Sequence, residues 1–258
     1  MNYETISVRV LFDGQVSQIT LDAPPANILD ARMMAEIEAQ LDREREESAR
    51  KLIVFQGRGR HFCFGASVKE HQKDQVGAML PAFHRLIGKI LDHPVPTLAK
   101  VSGQCLGGGF ELALACSFIV ADAQAKFAVP EIKLGVFPPV AALLLPFLAG
   151  GALAGRMVVT GETMSAEALQ KAGLIGTIAA DGGLDGAVTR FIEEQIVPKS
   201  ASSLRFAQRA SRWTLVRHYR ENIAGLERLY LDELMASADA NEGIAAFIEK
   251  RSPEWRHA

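Results

Sequence analysis

In the first part of the chain, the spacing of apolar residues changes from every second residue, as in a strand, to the spacing of a helix. Apolar and polar residues alternate over residues 8–12 and again over 16–21, on either side of Asp13-Gly14, a pattern typical of a β-hairpin. A helical period follows from Ala31 to about Glu47, and Asp30 stands where an N-cap belongs. The apolar stripe of this predicted helix consists of Met33, Met34, Ile37 and Leu41.

Short apolar runs and helical stretches alternate in the next part of the chain. The pattern predicts buried strands over residues 52–55 and 96–101. It also predicts one helix over residues 80–91 and another that begins at about Gly108. Repeated strand–turn–helix units predict an α/β core. Beyond Ser200 the pattern is helical throughout, with helices predicted over 216–235 and 241–250. We therefore predict a core of residues 1–199 and a C-terminal helical region of residues 200–258.

Charge gives no reason to expect a nucleic-acid partner, since the net charge is −2 and the sequence pI is about 6.3. One basic cluster is interleaved with acidic residues, so we interpret it as a solvated helix face. Its members are Arg43, Arg45, Arg50 and Lys51, with Asp42, Glu44, Glu46 and Glu47 among them.

Cysteine usage and hydropathy favour a cytoplasmic protein. Cys63, Cys105 and Cys116 lie in apolar surroundings without metal-ligand spacing, so we expect neither a disulfide framework nor a metal site, and a reducing compartment fits. The N-terminus has no secretory pattern. Residues 134–155 carry no charge, but three prolines interrupt them, which favours a bent, buried segment lining a pocket over a membrane span.

A single carboxylate stands out in the helix that begins at about Gly108. Glu111 is the only charged residue from there through Ala121. A carboxylate in apolar surroundings loses hydration, so it needs partners or a raised pKa. Core packing does not explain this placement, and a functional role is favoured.

Glycines before this helix predict a site for a negatively charged oxygen. Residues without a Cβ atom let N–H groups at a helix N-terminus approach a ligand closely, which makes the Gly108 N–H a candidate donor. The alternative is that Gly107-Gly108-Gly109 only forms a tight turn. The turn after residues 52–55 could bring the Ala66 N–H to the same oxygen. Glu131 follows a proline, and by itself it could be an ordinary helix-start carboxylate.

Three segments, HFCFGASV, GQCLGGGFELALAC and FAVPEIKLG, resemble the crotonase (enoyl-CoA hydratase/isomerase) superfamily in their order and spacing. The resemblance runs from the N-terminal hairpin to EGIAAFIEKR near the end. It implies a spiral of repeated ββα units with a C-terminal helical region. It also implies trimers or dimers of trimers, and an acyl-CoA substrate bound without a metal or redox cofactor.

The resemblance also implies roles for individual residues. Ala66 and Gly108 would supply the two oxyanion-hole N–H groups, while Glu111 and Glu131 match the two glutamates of hydratases. Phe247 and Lys250 match positions near the C-terminus that contact the CoA bound to a neighbouring subunit. The alternative is that Phe247 only packs against the protein and that Lys250 is only a solvated surface residue. The remaining substrate and CoA positions are Ala26, Phe64, Gly65, Ser67, Val68, Gly107, Pro130, Phe137, Pro138 and Pro139.

Members of the family that only isomerise, dehalogenate or hydrolyse often lack one of the two glutamates, so the resemblance with both present favours addition of water to an α,β-unsaturated thioester. Two neighbouring carboxylates do not both ionise readily, so one can hold a proton while the other activates water. We assign Glu131 as the proton donor and Glu111 as the orienter and base for water, and shared roles are the alternative. The alternatives are a double-bond isomerase, a C–C hydrolase or lyase of the same fold, and a non-catalytic CoA-binding protein, against which the paired glutamates argue.

The sequence departs from the family pattern near the acyl group. Ser67 and Ser117 stand where Asp is usual, and Phe137-Pro138-Pro139 with the following residues replaces a Gly-rich turn. This change alters backbone donors and pocket shape, so a straight-chain substrate is not assured. The segments PPANILD, HFCFGASVKEH and LGVFPPVAALLLP resemble the cyclohexa-1,5-diene-1-carbonyl-CoA hydratases of anaerobic aromatic degradation.

Overall fold

A computed structural model describes residues 3–258 of the chain. Among these residues the α-helices are α1 (Ala31–Glu46), α2 (Val76–Leu91), α3 (Gly108–Ala115), α4 (Pro139–Ala149), α5 (Gly151–Thr160), α6 (Ala166–Lys171), α7 (Leu184–Phe191), α8 (Ala201–Arg228) and α9 (Ala238–Glu249). The strands are β1 (Ile6–Leu11), β2 (Val16–Leu21), β3 (Leu52–Gly57), β4 (Thr97–Val101), β5 (Gln104–Leu106), β6 (Phe118–Asp122), β7 (Lys126–Ala128), β8 (Met164–Ser165) and β9 (Thr177–Ala179).

The main sheet has six strands in the order β1-β2-β3-β4-β6-β9. Only β1 and β2 pair antiparallel, and every later pair is parallel. Helices cover both faces, because Phe55 belongs to the large core with α1, α2 and α3, whereas Val54 packs on the opposite side against α7. Burial on both faces explains why β3 is a continuous apolar run rather than an alternating one.

The predicted N-terminal elements are confirmed. The β1–β2 hairpin pairs Val8 with Ile19, and the Asp30 side chain accepts a hydrogen bond from the Met33 N–H at the start of α1. The predicted helix over 80–91 extends back to Val76, and the strand over 96–101 begins at Thr97. The α/β fold with ββα repeats is the one that the sequence predicts.

A second, smaller sheet was not predicted. Its order is β5-β7-β8, with β5 and β7 parallel and β7 and β8 antiparallel. These strands have two or three residues each, too few for a period of two to stand out. Because β5 leads into α3 and β7 leads into the Glu131 segment, this sheet brings the two glutamate-bearing segments side by side.

The interpretation of the charged cluster near residue 45 as a solvated face is wrong for one pair. Glu44 and Arg50 are buried and form an ion pair, and Arg50 also donates to the Gly14 carbonyl. The Gln40 side chain donates to Glu44 at 2.5 Å. Both charges can be buried because each has at least two hydrogen-bond partners. A pattern of alternating charge signs does not reveal such partners.

The C-terminal helices differ from those predicted in their bounds. Helix α8 begins at Ala201, capped by Ser200, and passes into a π-helical turn, Leu229–Glu233, and a 3₁₀ turn, Leu234–Ala236. Helix α9 begins at Ala238, earlier than the pattern suggests. Helix α8 packs on α2 and α4, and α9 packs on the 3₁₀ turns Val68–His71 and Pro130–Leu134. The division of the chain at residue 200 stays a prediction.

The charge-free residues 134–155 form a bent pair of helices. Helices α4 and α5 meet at Gly150, whose φ of +84° ends the first helix. The leading residues of α4 are buried against the core, as predicted. The prediction of a buried segment is wrong for its second half, because Phe147 is 46% exposed and Ala154 and Met157 are the buried residues of α5. No helix within residues 3–258 is both long and apolar enough to cross a membrane.

Candidate active site

A cavity of about 400 Å³ lies between α3, the start of α4 and helix α9. All the residues that the sequence predicts for the site line this cavity except Ala26, Ser67 and Lys250. The Ala26 carbonyl accepts the Phe64 N–H at 3.0 Å and the Ser67 N–H donates to Leu29, so these two residues hold the loop that carries Ala66. Lys250 is exposed at the left-handed end of α9.

Phe247 lines the cavity of its own chain. It reaches the cavity because Gly243 lets α9 approach closely, since a Cβ atom at Gly243 would lie 2.2 Å from the Leu134 carbonyl oxygen. The Phe247 side chain is 55% exposed. The prediction that Phe247 and Lys250 serve a neighbouring subunit remains a prediction.

The two N–H groups predicted as an oxyanion hole lie next to each other. A Cβ atom on Gly108 would be 3.0 Å from the Ala66 nitrogen. Gly108 is the first residue of α3, where no preceding turn supplies an acceptor for its N–H. Gly65 and Ser67 on either side of Ala66 bond to Leu29, whereas the Ala66 N–H has no backbone acceptor among the described residues. Both donors are therefore free for a ligand.

Glycines let the surrounding side chains come close. A Cβ atom on Gly107, which has a φ of +50°, would lie 2.6 Å from Oε1 of Glu131. One on Gly109 would lie 2.6 Å from the Cβ atom of Cys63. The glycine triplet is therefore required by close approach, in addition to its tight turn.

The Glu111 carboxylate is buried at 3% exposure on the first turn of α3. Its Oε1 accepts the Ala141 N–H at 2.8 Å, at the start of α4. Burial raises the pKa of Glu111 to about 7, while hydrogen bonds from the Ala141 and Val140 N–H groups act in the opposite direction. Glu111 can therefore exchange a proton near neutral pH.

The Glu131 carboxylate lies in the 3₁₀ turn Pro130–Leu134 and lines the same cavity. Its Oε2 atom is buried and has no hydrogen-bond partner in residues 3–258. Burial first, and then the negative charge of Glu111, raise the pKa of Glu131 well above its usual range. This group therefore keeps its proton to a higher pH than an ordinary glutamate does.

Two groups of the site were not predicted from the sequence. The Ala141 N–H, which bonds Glu111, belongs to a helix start whose long-range partner no local pattern specifies. Tyr230 also lines the cavity, from the π-helical turn after α8. A tyrosine in a helical, apolar-rich stretch is usually interpreted as a core residue. Its hydroxyl group is the one feature of the sequence that could have indicated a role in the site.

The part of the chain that the structure describes holds no group of three or more side chains that could bind a metal ion. The three cysteines are buried and free, and burial raises the pKa of Cys63 to about 12.

The enoyl-CoA hydratase/isomerase family model matches residues 12–258. A cyclohexa-1,5-dienecarbonyl-CoA hydratase from Thauera aromatica is 43% identical over 95% of this chain and 94% of its own. A probable enoyl-CoA hydratase from Rhizobium meliloti is 36% identical over the full length of both. The crystal structure of an enoyl-CoA hydratase/isomerase from Xanthobacter autotrophicus Py2 superposes with a TM-score of 0.85, at 27% identity over 97% of this chain and 98% of that one. The chain therefore belongs to the enoyl-CoA hydratase/isomerase family, as an enzyme of its hydratase type.

Proposed function

We propose that the enzyme adds water across the double bond of an α,β-unsaturated acyl-CoA thioester. The observation that carries this proposal is that two buried carboxylates with raised pKa values line one cavity with two free backbone N–H groups. Water addition needs a base, an acid and a site for negative charge, and this cavity supplies residues suited to each task. Membership of the hydratase type supports the same reaction.

The proton transfers follow from the two pKa values. Ionised Glu111 takes a proton from water while the water oxygen forms a bond to the β-carbon. The electrons of the double bond move toward the thioester oxygen, and protonated Glu131 then delivers its proton to the α-carbon. The reaction is redox-neutral, and the cycle closes when Glu111 releases its proton to solvent and Glu131 takes one up. We therefore propose that it needs neither a metal nor a redox cofactor.

Negative charge on the thioester oxygen would be held by the Ala66 and Gly108 N–H groups. Fixed donors in a water-poor site need no reorganisation when the charge appears, and one such donor is worth about 2.7–4 kcal/mol in the transition state. Gly108 also begins α3, whose N-terminal dipole favours a negative charge.

A screen of acyl-CoA thioesters with mass-spectrometric detection tests the reaction. In isotopically labelled water, a hydratase yields a product that has gained one labelled water. An isomerase yields a product of unchanged mass with no solvent oxygen. If no enoyl-CoA in the screen gains water, the proposal is wrong.

The substrate that we propose carries a cyclic dienoyl group. Phe137, Pro138 and Pro139 form part of the cavity wall, and the two prolines fix the start of α4. A rigid wall suits a flat ring, because a ring loses little rotor entropy when it binds. The name of the Thauera aromatica relative supports this choice. Such a substrate would place the enzyme after a ring-reducing step in aromatic degradation.

We expect kcat/KM for a cyclic dienoyl-CoA to exceed that for crotonyl-CoA by about 10–200-fold, the range that apolar shape discrimination provides. Steady-state kinetics with both thioesters measure this ratio. A longer linear enoyl-CoA serves as the control for simple hydrophobicity. A preference for either linear substrate would exclude the ring while leaving hydration intact.

We propose that the enzyme assembles as a homotrimer or a dimer of trimers. Phe206 and Trp213 on α8 are 66% and 67% exposed in the single chain, and exposed aromatic residues favour subunit contacts. We expect light scattering to give three or six times the chain mass of 28.0 kDa. A stable, active monomer would contradict this proposal.

We also propose that the enzyme works in a reducing, cytoplasmic compartment, which the three buried, free cysteines support.

A further inference from the structure

Tyr230 is a buried tyrosine with a side chain that points to a role beyond packing. It is 1% exposed, yet its hydroxyl has no hydrogen-bond partner in residues 3–258. Buried polar groups nearly always have partners, and a buried hydroxyl without one destabilises the folded state. The cavity that Tyr230 lines is the place where such a partner could bind.

Tyr230 lines the same cavity as the two glutamates, and its surroundings indicate what its hydroxyl can do. Burial and the negative charges of Glu131 and Glu111 raise the pKa of Tyr230, so its phenol keeps its proton. The Phe137 ring packs against the Tyr230 ring in an edge-on arrangement, with 5.4 Å between the ring centres. Tyr230 therefore lies where the acid–base pair meets the wall of the acyl pocket.

Two residues that line the cavity each carry a buried oxygen atom without a partner in residues 3–258, namely Oε2 of Glu131 and the Tyr230 hydroxyl. A ligand that satisfies both must carry a polar atom in the acyl region, where a hydrocarbon chain or ring offers none. In a hydration reaction that polar atom is the oxygen of the water, which becomes the hydroxyl of the product. The π-helical turn that carries Tyr230 is a feature often found at functional sites.

We propose that Tyr230 is a third catalytic residue, whose neutral phenol donates a hydrogen bond to the oxygen atom that is added to the acyl group. This inference rests on the proposed hydration. The water gives its proton to Glu111, uses one lone pair to form the carbon–oxygen bond, and accepts the Tyr230 hydrogen bond with the other. Tyr230 keeps its proton throughout, so the balance of the reaction is unchanged.

Tyr230→Phe tests the inference by removing only the hydroxyl. We expect the dissociation constant of the hydroxyacyl-CoA product to rise about 10-fold, the size of effect when a buried hydroxyl loses its partner. The dissociation constant of the saturated acyl-CoA, which lacks that hydroxyl, should not change. Calorimetric titration of both ligands measures this difference without any need for turnover.

Tyr219→Phe is the matched control. Tyr219 is also buried, but its hydroxyl donates to the His84 carbonyl at 2.8 Å and it does not line the cavity. This variant should lower the thermal unfolding temperature without changing the preference for hydroxyacyl-CoA. Tyr230→Phe should not lower that temperature, because it removes a hydroxyl that has no partner.

Two outcomes would overturn the inference. If Tyr230→Phe weakens the binding of both ligands equally, the Tyr230 hydrogen bond is made to the thioester group that they share. If it weakens the binding of neither ligand, Tyr230 is a packing residue. Failure of the wild-type enzyme to hydrate any thioester would instead reject the proposed function. The binding comparison therefore separates the two failures.

Discussion

Glu111→Gln and Glu131→Gln are each expected to lower kcat by about 10²–10⁴, the usual contribution of a general acid or base. Glutamine cannot take up or deliver the proton, although it keeps the shape of the side chain. At Glu111 the amide oxygen can still accept the Ala141 N–H, so the start of α4 should stay in place. Steady-state kinetics with the preferred enoyl-CoA measure the loss, and thermal unfolding measures the fold.

Glu70→Gln is the control, because Glu70 is likewise a glutamate with a raised pKa but is only partly buried and lies outside the cavity. Its activity should remain close to that of the wild type. Near-normal hydration by either cavity variant would remove that glutamate from the mechanism.

The pH profile assigns the two roles. The base must be ionised, so wild-type kcat/KM should rise as pH increases through about 7, where Glu111 loses its proton. The acid must be protonated, so kcat/KM should fall at more alkaline pH, where Glu131 ionises. Residual activity of Glu111→Gln should lose the rising limb, and that of Glu131→Gln should lose the falling limb. The reverse pattern would exchange the two roles.

Gly108→Pro is expected to lower kcat by about 10²–10³, the cost of losing one oxyanion-hole donor. Proline has no N–H group, but it is well tolerated at the first position of a helix, which Gly108 occupies. Ala66→Pro removes the other candidate donor and should have an effect of the same size. Single-turnover kinetics measure the chemical step directly.

Gly108→Ala controls for the added bulk, since a Cβ atom at this position would lie 3.0 Å from the Ala66 nitrogen and 3.3 Å from the Phe83 ring. Alanine adds the same Cβ atom but retains the N–H group. The ratio of the proline to the alanine variant therefore reports on the donor alone. Equal losses in the two variants would assign the effect to crowding.

Local sequence patterns were sufficient for much of the fold. The cap at Asp30 is a contact within one helical turn, and the burial of β3 follows from consecutive apolar residues. Glu111 could be singled out because a lone carboxylate in an apolar helix is expensive to bury. Each of these inferences uses only residues that are close together in the sequence.

Other parts of the site depend on contacts between distant segments. The bond from the Ala141 N–H to Glu111 and the place of Tyr230 in the cavity arise from packing that no local period encodes. The buried pair of Glu44 and Arg50 was misjudged for the same reason, since charge pattern alone does not report depth. The family resemblance supplied the grouping of Ala66 with Gly108, which the sequence pattern left open.

The bond between the Ala141 N–H and Glu111 links the proposed base directly to the cavity wall. The same short helix start carries Pro138 and Pro139 on the substrate side and donates hydrogen bonds to the base. A substitution that reshapes the wall for a different acyl group would therefore also alter the acidity of Glu111. Substrate range and pH optimum are then coupled. An enzyme engineered for a new thioester would need a further substitution to return the pKa of Glu111 to the value that suits its working pH.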